Sequence, residues 1–103
     1  MGGVDRVAEN DSRVTFLSPE DFLEIENHSA RPEFLGRKVE EVYPDPQPGD
    51  IQRVRKFLAG DIPTIVVGSI PGHKIMLDGS HRTFAACIRG EPIRTLVVHI
   101  KSA

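Results

Sequence analysis

The chain holds a single cysteine, Cys87, and no tryptophan. One thiol excludes an internal disulfide and any zinc cage built on cysteine. A formal net charge of -2 gives no basic excess, which argues against a free-standing, non-specific DNA binder but leaves room for a local basic pocket. No apolar run approaches the roughly 18–20 residues that cross a bilayer. The N-terminus, Met1-Gly2-Gly3-Val4-Asp5-Arg6, lacks the apolar core of a signal peptide. These absences point to a cytoplasmic protein that does not enter a membrane.

With 103 residues, 39% of them hydrophobic and 27% charged, the chain suits one domain with one modest core. Residues 1–12 are small and polar and read as a flexible N-terminal lead-in; residues 13–103 form the domain. Arg13 to Leu17 reads as a strand. Ser18-Pro19-Glu20-Asp21 reads as a capped helix start, with the helix running through Glu26 and burying Phe22, Leu23 and Ile25. Residues 27–48 show no clear period and end in a proline-rich loop. Asp50 is expected to cap a second helix whose apolar face is Ile51, Val54, Phe57 and Leu58, with Gly60 as its stop. Thr64 to Val67 and Ile75 to Leu77 read as a strand pair joined by the turn at Pro71-Gly72. Ser80 to Arg89 reads as a helix stopped by Gly90, and Ile93 to Ile100 as the last strand. The expected fold class is therefore α/β (α+β): a compact mixed sheet with about three helices.

The most informative run is Leu77-Asp78-Gly79-Ser80-His81-Arg82-Thr83-Phe84. A strand, a glycine and then polar residues at a helix start is a layout suited to an anion. The first backbone N–H groups of a helix lack internal partners, and the helix dipole is positive there. A phosphate can take those donors, with Arg82 and His81 adding charge and further hydrogen bonds.

This run, the Ile65-Val66-Val67 strand before it and the closing strand after it resemble the ParB/sulfiredoxin superfamily over about residues 50–100. The resemblance implies that fold, and it implies a nucleoside di- or triphosphate (ATP or CTP) held over the turn, with Mg2+ bridging its phosphates. Carried over, Gly79 and Ser80 line the phosphate turn, and His81 and Arg82 contact the phosphates. Sulfiredoxins place the catalytic cysteine between the glycine and the His-Arg pair, where this chain has Ser80. A hydroxyl cannot replace that thiolate, so sulfiredoxin activity is not expected. Segregation ParB proteins carry a helix-turn-helix domain and a dimerisation domain after this one, and neither follows here. The chain is expected to be a stand-alone module or a fragment.

Each candidate residue also has a plainer role. Arg82 is a bidentate phosphate ligand or a surface arginine paired with an acid. His81 is a phosphate donor or general acid, or a locally bonded helix-start histidine. Ser80 offers a capping or phosphate-binding hydroxyl; a nucleophile needs an adjacent base that its neighbour His81 does not provide. Asp78 is a metal ligand for Mg2+ or a base, or a turn residue bonding its own backbone. Thr83 is a phosphate donor or, by preference, a first-turn residue. Glu20 and Asp50 are further carboxylates for activating a water. Cys87 shares a helix face with Phe84 and Ile88 and is expected to be a buried, inert thiol. Lys74 and Arg53 read as solvated cations and Glu40-Glu41 as a solvated face, while His28, His73 and His99 show no ligand spacing.

Three functions follow. The first is a nucleotide-binding domain with NTPase or phosphotransfer activity, in which Asp78 and His81 are the catalytic candidates and Gly79 to Thr83 bind the cofactor. The second is a non-catalytic regulatory module whose output is a change in protein partner or self-association. The third is a nuclease-like, DNA-associated protein, which the acidic balance disfavours.

Overall fold

A computed structural model describes residues 12–43 and 45–100. Most of the expected lead-in, residues 1–11, lies outside them, while Ser12 already belongs to the first strand. The described residues form a five-stranded mixed sheet in the order β1-β5-β3-β4-β2. The strands are β1 (Ser12–Leu17), β2 (Ile25–Glu26), β3 (Ile65–Ile70), β4 (His73–Asp78) and β5 (Ile93–His99). Three α-helices, α1 (Val39–Val42), α2 (Asp50–Leu58) and α3 (Ser80–Arg89), join two 3-10 helices at Pro19–Glu24 and Pro32–Phe34. This is the mixed α/β class that the sequence pattern predicts.

Alternation along the strands sets one face of the sheet against the helices. Ile65 and Val67 on β3, Met76 on β4, and Ile93, Thr95 and Val97 on β5 are buried there. The helix α3 is the centre of the core: every residue from Thr83 to Ile88 is buried. Its run Thr-Phe-Ala-Ala-Cys-Ile is small or apolar all round, which lets neighbours close on it from all sides. Cys87 is within this core, and burial pushes its thiol up to about 12. It is the buried thiol expected from its helix face. On α2, Val54 is fully buried and Ile51, Phe57 and Leu58 pack partly against the core, as their spacing predicts.

The helix expected over residues 19–26 is instead a 3-10 helix that ends at Glu24, followed by the short strand β2. The Asp21 carboxylate accepts the Ser18 N–H at 2.8 Å, and the Asp21 N–H donates to the Ser18 carbonyl at 2.9 Å. That tight i,i+3 winding stacks every third residue on one side. Pro19, Phe22 and Ile25 are therefore buried, while Leu23 points to solvent. Ile25 pairs with Lys74 in parallel, so the chain leaves the turn directly into the sheet.

Residues 27–48 showed no period because their elements are only three or four residues long. His28 anchors the start of this segment: its Nδ1 accepts the Ala30 N–H at 3.1 Å and its Nε2 therefore donates to the Phe22 carbonyl at 2.8 Å. An ion pair between Arg55 and Glu40 ties α1 to α2.

The 3-10 winding is testable by urea unfolding. Phe22→Ala is expected to cost roughly 3–5 kcal/mol, whereas Leu23→Ala should stay within about 0.5 kcal/mol. Equal losses would restore the longer α-helix.

Candidate functional site

The turn from β4 into α3 is built around Gly79. Its φ of 118° lies in the left-handed region. A Cβ there would sit 2.4 Å from Ile65 Cγ2 and 2.8 Å from Ile65 Cβ, inside contact distance of a fully buried side chain. Only glycine meets both conditions. Just before it, the pairing of β3 with β4 slips between Val66 and Val67, leaving Leu77 as an extra residue on β4. Such a bulge re-aims the strand end. Gly79 itself is the N-cap of α3, so Ser80 is the first helical residue and not the cap.

His81 is fixed from two sides. Its Nε2 lies 2.9 Å from Asp50 Oδ1, and its ring stacks on Tyr43. Tyr43 stacks in turn on Phe84, and Phe84 on Phe34, giving a column of four rings. Asp50 is not the cap of α2: Gly49 holds that position. Its Oδ2 instead accepts the Gln47 N–H at 2.7 Å, which leaves Oδ1 to reach across to α3. The hydrogen bond from His81 holds the Asp50 carboxyl below its usual value, helped by the Gln47 N–H against some desolvation, with the charges of His81 and Arg53 adding to it. Burial and the neighbouring Asp50 carboxylate push the Tyr43 hydroxyl above its usual value. An ionised carboxylate only accepts hydrogen bonds, so Nε2 carries the hydrogen that bonds Asp50.

Arg82 is also held. Its Nη1 donates to the Thr64 carbonyl at 2.9 Å and lies 3.5 Å from Asp78 Oδ2, and its guanidinium sits 5.8 Å from the centre of the Phe57 ring. Both polar contacts fall on Nη1. Among the described residues, the Nε and Nη2 edge of the fork makes no such contact. Asp78 itself is 66% exposed. Thr83 is fully buried and its hydroxyl donates to the Ser80 carbonyl at 2.6 Å, the first-turn role preferred from sequence. His81 spends its bonded nitrogen on Asp50, so Ser80 has no base paired with it through that atom.

The structure thus gathers Asp78, Gly79, Ser80, His81 and Arg82 at one helix start, and adds Asp50, Tyr43 and Thr64 from elsewhere in the chain. Asp50 was one of the carboxylates named from sequence. Tyr43 was not, and its only sequence signal is that it is the sole tyrosine. Glu20 lies in the Pro19–Glu24 turn, and Lys74 is exposed on β4. Arg53 is exposed on α2 and contributes its charge to Asp50. No group of three or more His, Cys, Asp or Glu side chains that could hold a metal occurs among the described residues.

Two cavities lined by described residues lie elsewhere. One, of about 280 Å3, is at the β3–β4 hairpin beside Glu24 and His73. The other, of about 320 Å3, is between Phe16, Asp61, Arg89 and Arg94. Neither is lined by the turn. No protein-family model, curated protein or solved structure matches this chain.

Two outcomes test this geometry. Gly79→Ala should destabilise the fold by more than about 2 kcal/mol, because a strained φ adds to the clash with Ile65. The second concerns acid. A carboxyl depressed on folding adds stability above its ordinary value of 3.8 and gives it up as pH falls through the folded value. A carbon-13 titration should place the Asp50 midpoint below that value and move it upward in His81→Ala. Stability curves from neutral pH downward should lose this increment in the wild type but not in Asp50→Asn.

Proposed function

We propose that this protein binds a nucleotide through its phosphates at the Asp78-Gly79-Ser80-His81-Arg82 turn. One observation carries the reading. Every other helical start in the described chain has an acid in its first turn: Glu20 and Asp21, Glu33, Glu40 and Glu41, and Asp50. The first turn of α3 has none, and carries His81 and Arg82 instead. Cations at the positive end of a helix are unfavourable by roughly 0.3–1 kcal/mol each unless an anion joins them. Asp50 and Asp78 answer that charge only in part, since each meets one cation from its flank. The backbone donors of the first turn and the outer edge of Arg82 are the groups a phosphate would take.

The likeness of this turn to ParB/sulfiredoxin proteins supports a nucleotide as the source of the phosphate. In this reading Ser80 donates its hydroxyl, and Arg82 binds through Nε and Nη2 while Nη1 stays on Thr64. His81 is held in place by Asp50 and keeps Nδ1 for a phosphate oxygen. A single exposed carboxylate, Asp78, fits a Mg2+ ion that draws its remaining ligands from phosphate and water. The ion would neutralise phosphate charge. The dyad of Asp50 and His81 is the proton-handling group for any hydrolysis or transfer.

Thermal shift of the full chain with ATP, ADP, CTP and GTP, each with and without Mg2+, tests the reading. At about 100 times its dissociation constant a ligand adds roughly 2.7 kcal/mol, a shift on the order of 10 °C for a domain of this size. Arg82→Gln should abolish the shift and Lys56→Gln, on the exposed side of α2, should keep it. Release of inorganic phosphate in the same samples separates turnover from binding alone. No shift with any nucleotide at millimolar concentration would refute the proposal.

A further inference from the structure

The face of the sheet turned away from the helices is apolar. Register places Val14 and Phe16 of β1, Leu96 and Val98 of β5, and Val66 of β3 on it. Leu77 and Ile100 join them, because both would touch a Cβ placed on Gly68, at 3.1 and 2.9 Å. Of the six large hydrophobic residues exposed among the described residues, four are here: Phe16 at 63%, Leu77 at 50%, Val14 at 49% and Ile100 at 39%. Antiparallel sheets with a solvated face normally alternate apolar and polar side chains. Strands β1, β3 and β5 instead carry apolar side chains on both faces, which is the pattern of a sheet covered on both sides.

We propose that this face is the contact between two copies of the chain, packed sheet on sheet about a two-fold axis. Three properties favour a second copy. First, the size fits. Four strands about 4.8 Å apart and about 20 Å long give roughly 400 Å2 in plan. Side-chain relief makes the accessible area larger, so two such faces bury on the order of 1,000 Å2 or more, at the lower bound of specific interfaces. A contiguous apolar patch of that extent is at the upper end of what monomers expose. Second, the charge fits. The register puts two charged side chains of opposite sign on this face, Arg94 opposite Phe16 and Asp78 opposite Val66, so little repels an identical surface. Third, the shape fits. Because Gly68 has no side chain, Leu77 and Ile100 close over it and give the middle of the face a continuous apolar cover. Sheet faces stack about 10 Å apart with their side chains interleaved.

Sedimentation velocity of the full chain across about 1–200 µM is the test, since small interfaces of this size reach micromolar affinity. A concentration-dependent rise from monomer to dimer is expected. Phe16→Glu and Leu77→Glu should each weaken the dimer by at least tenfold, and Leu23→Glu, exposed on the opposite side in the 3-10 helix, should not. Circular dichroism confirms that each variant is folded, and the wild-type curve decides the matter if either is not. A wild-type chain that stays monomeric throughout overturns the proposal, including the case in which residues 1–11 cover the face. A dimer untouched by Leu77→Glu overturns it as well, because pairing through the β1 edge alone would leave β4 uninvolved. Self-association of the wild-type chain is read without nucleotide, so neither result bears on nucleotide binding, although Leu77 and the turn at Asp78 share the C-terminal end of β4.

Discussion

The contact between Gly79 and Ile65 is the constraint on which the site depends. A hydrogen atom, where any other residue has a carbon, lets β4 turn into α3 while resting on the floor of the core. That turn decides where the first residues of α3 point. His81 goes to Asp50 on α2, and Arg82 goes to the backbone of Thr64 just ahead of β3. Move the turn by one side chain's width and both side chains lose their partners. The core then holds the turn in place, because α3 is buried from Thr83 to Ile88 and cannot rotate to relieve it.

Charge and packing cooperate around that start. In the column of Phe34, Phe84, Tyr43 and His81, Phe84 is buried and the rings on either side of it are partly exposed, so His81 is backed by rings anchored in the core. Asp50 completes the support from α2 and stays ionised with the help of the Gln47 amide. Arg82 is braced in the same manner by the Thr64 carbonyl and the Phe57 ring. In the proposed reading both side chains are thus ordered before a phosphate arrives, and ordering in advance lowers the entropy lost on binding. The cost is that each side chain already faces a carboxylate. Asp50 is tightly held, whereas Asp78 is exposed and its contact with Arg82 is long, so it is the one an incoming anion can move aside.

Much of this was legible in the chain. The limits of α2 and α3, the β3–β4 hairpin and the closing strand follow from apolar spacing and from punctuation by Gly60, Gly72 and Gly90. The turn at Gly79 was visible as a motif because its residues are consecutive. What could not be read came from two sources. Short elements carry no period, so the 3-10 turn at Pro19 resembled an α-helix start, and residues 27–48 resembled nothing. Partners from distant segments carry no local mark either. Asp50 resembled a helix cap because caps and first-turn acids share a composition, and only the fold brings it to His81. The two-sided apolar character of β1 and β5 was present in the sequence, but its meaning depends on which face the helices cover.

The central claim is that the start of α3 is a seat for phosphate oxygens. Amide chemical shifts of uniformly nitrogen-15-labelled protein, followed while a nucleoside triphosphate with Mg2+ is added, address it residue by residue. The account predicts that the amides of Gly79, Ser80, His81 and Arg82 move first and furthest, with Asp50 and Thr64 following through their side-chain contacts. Shifts confined to the cavity beside Arg89 and Arg94, with the turn unmoved, would contradict it.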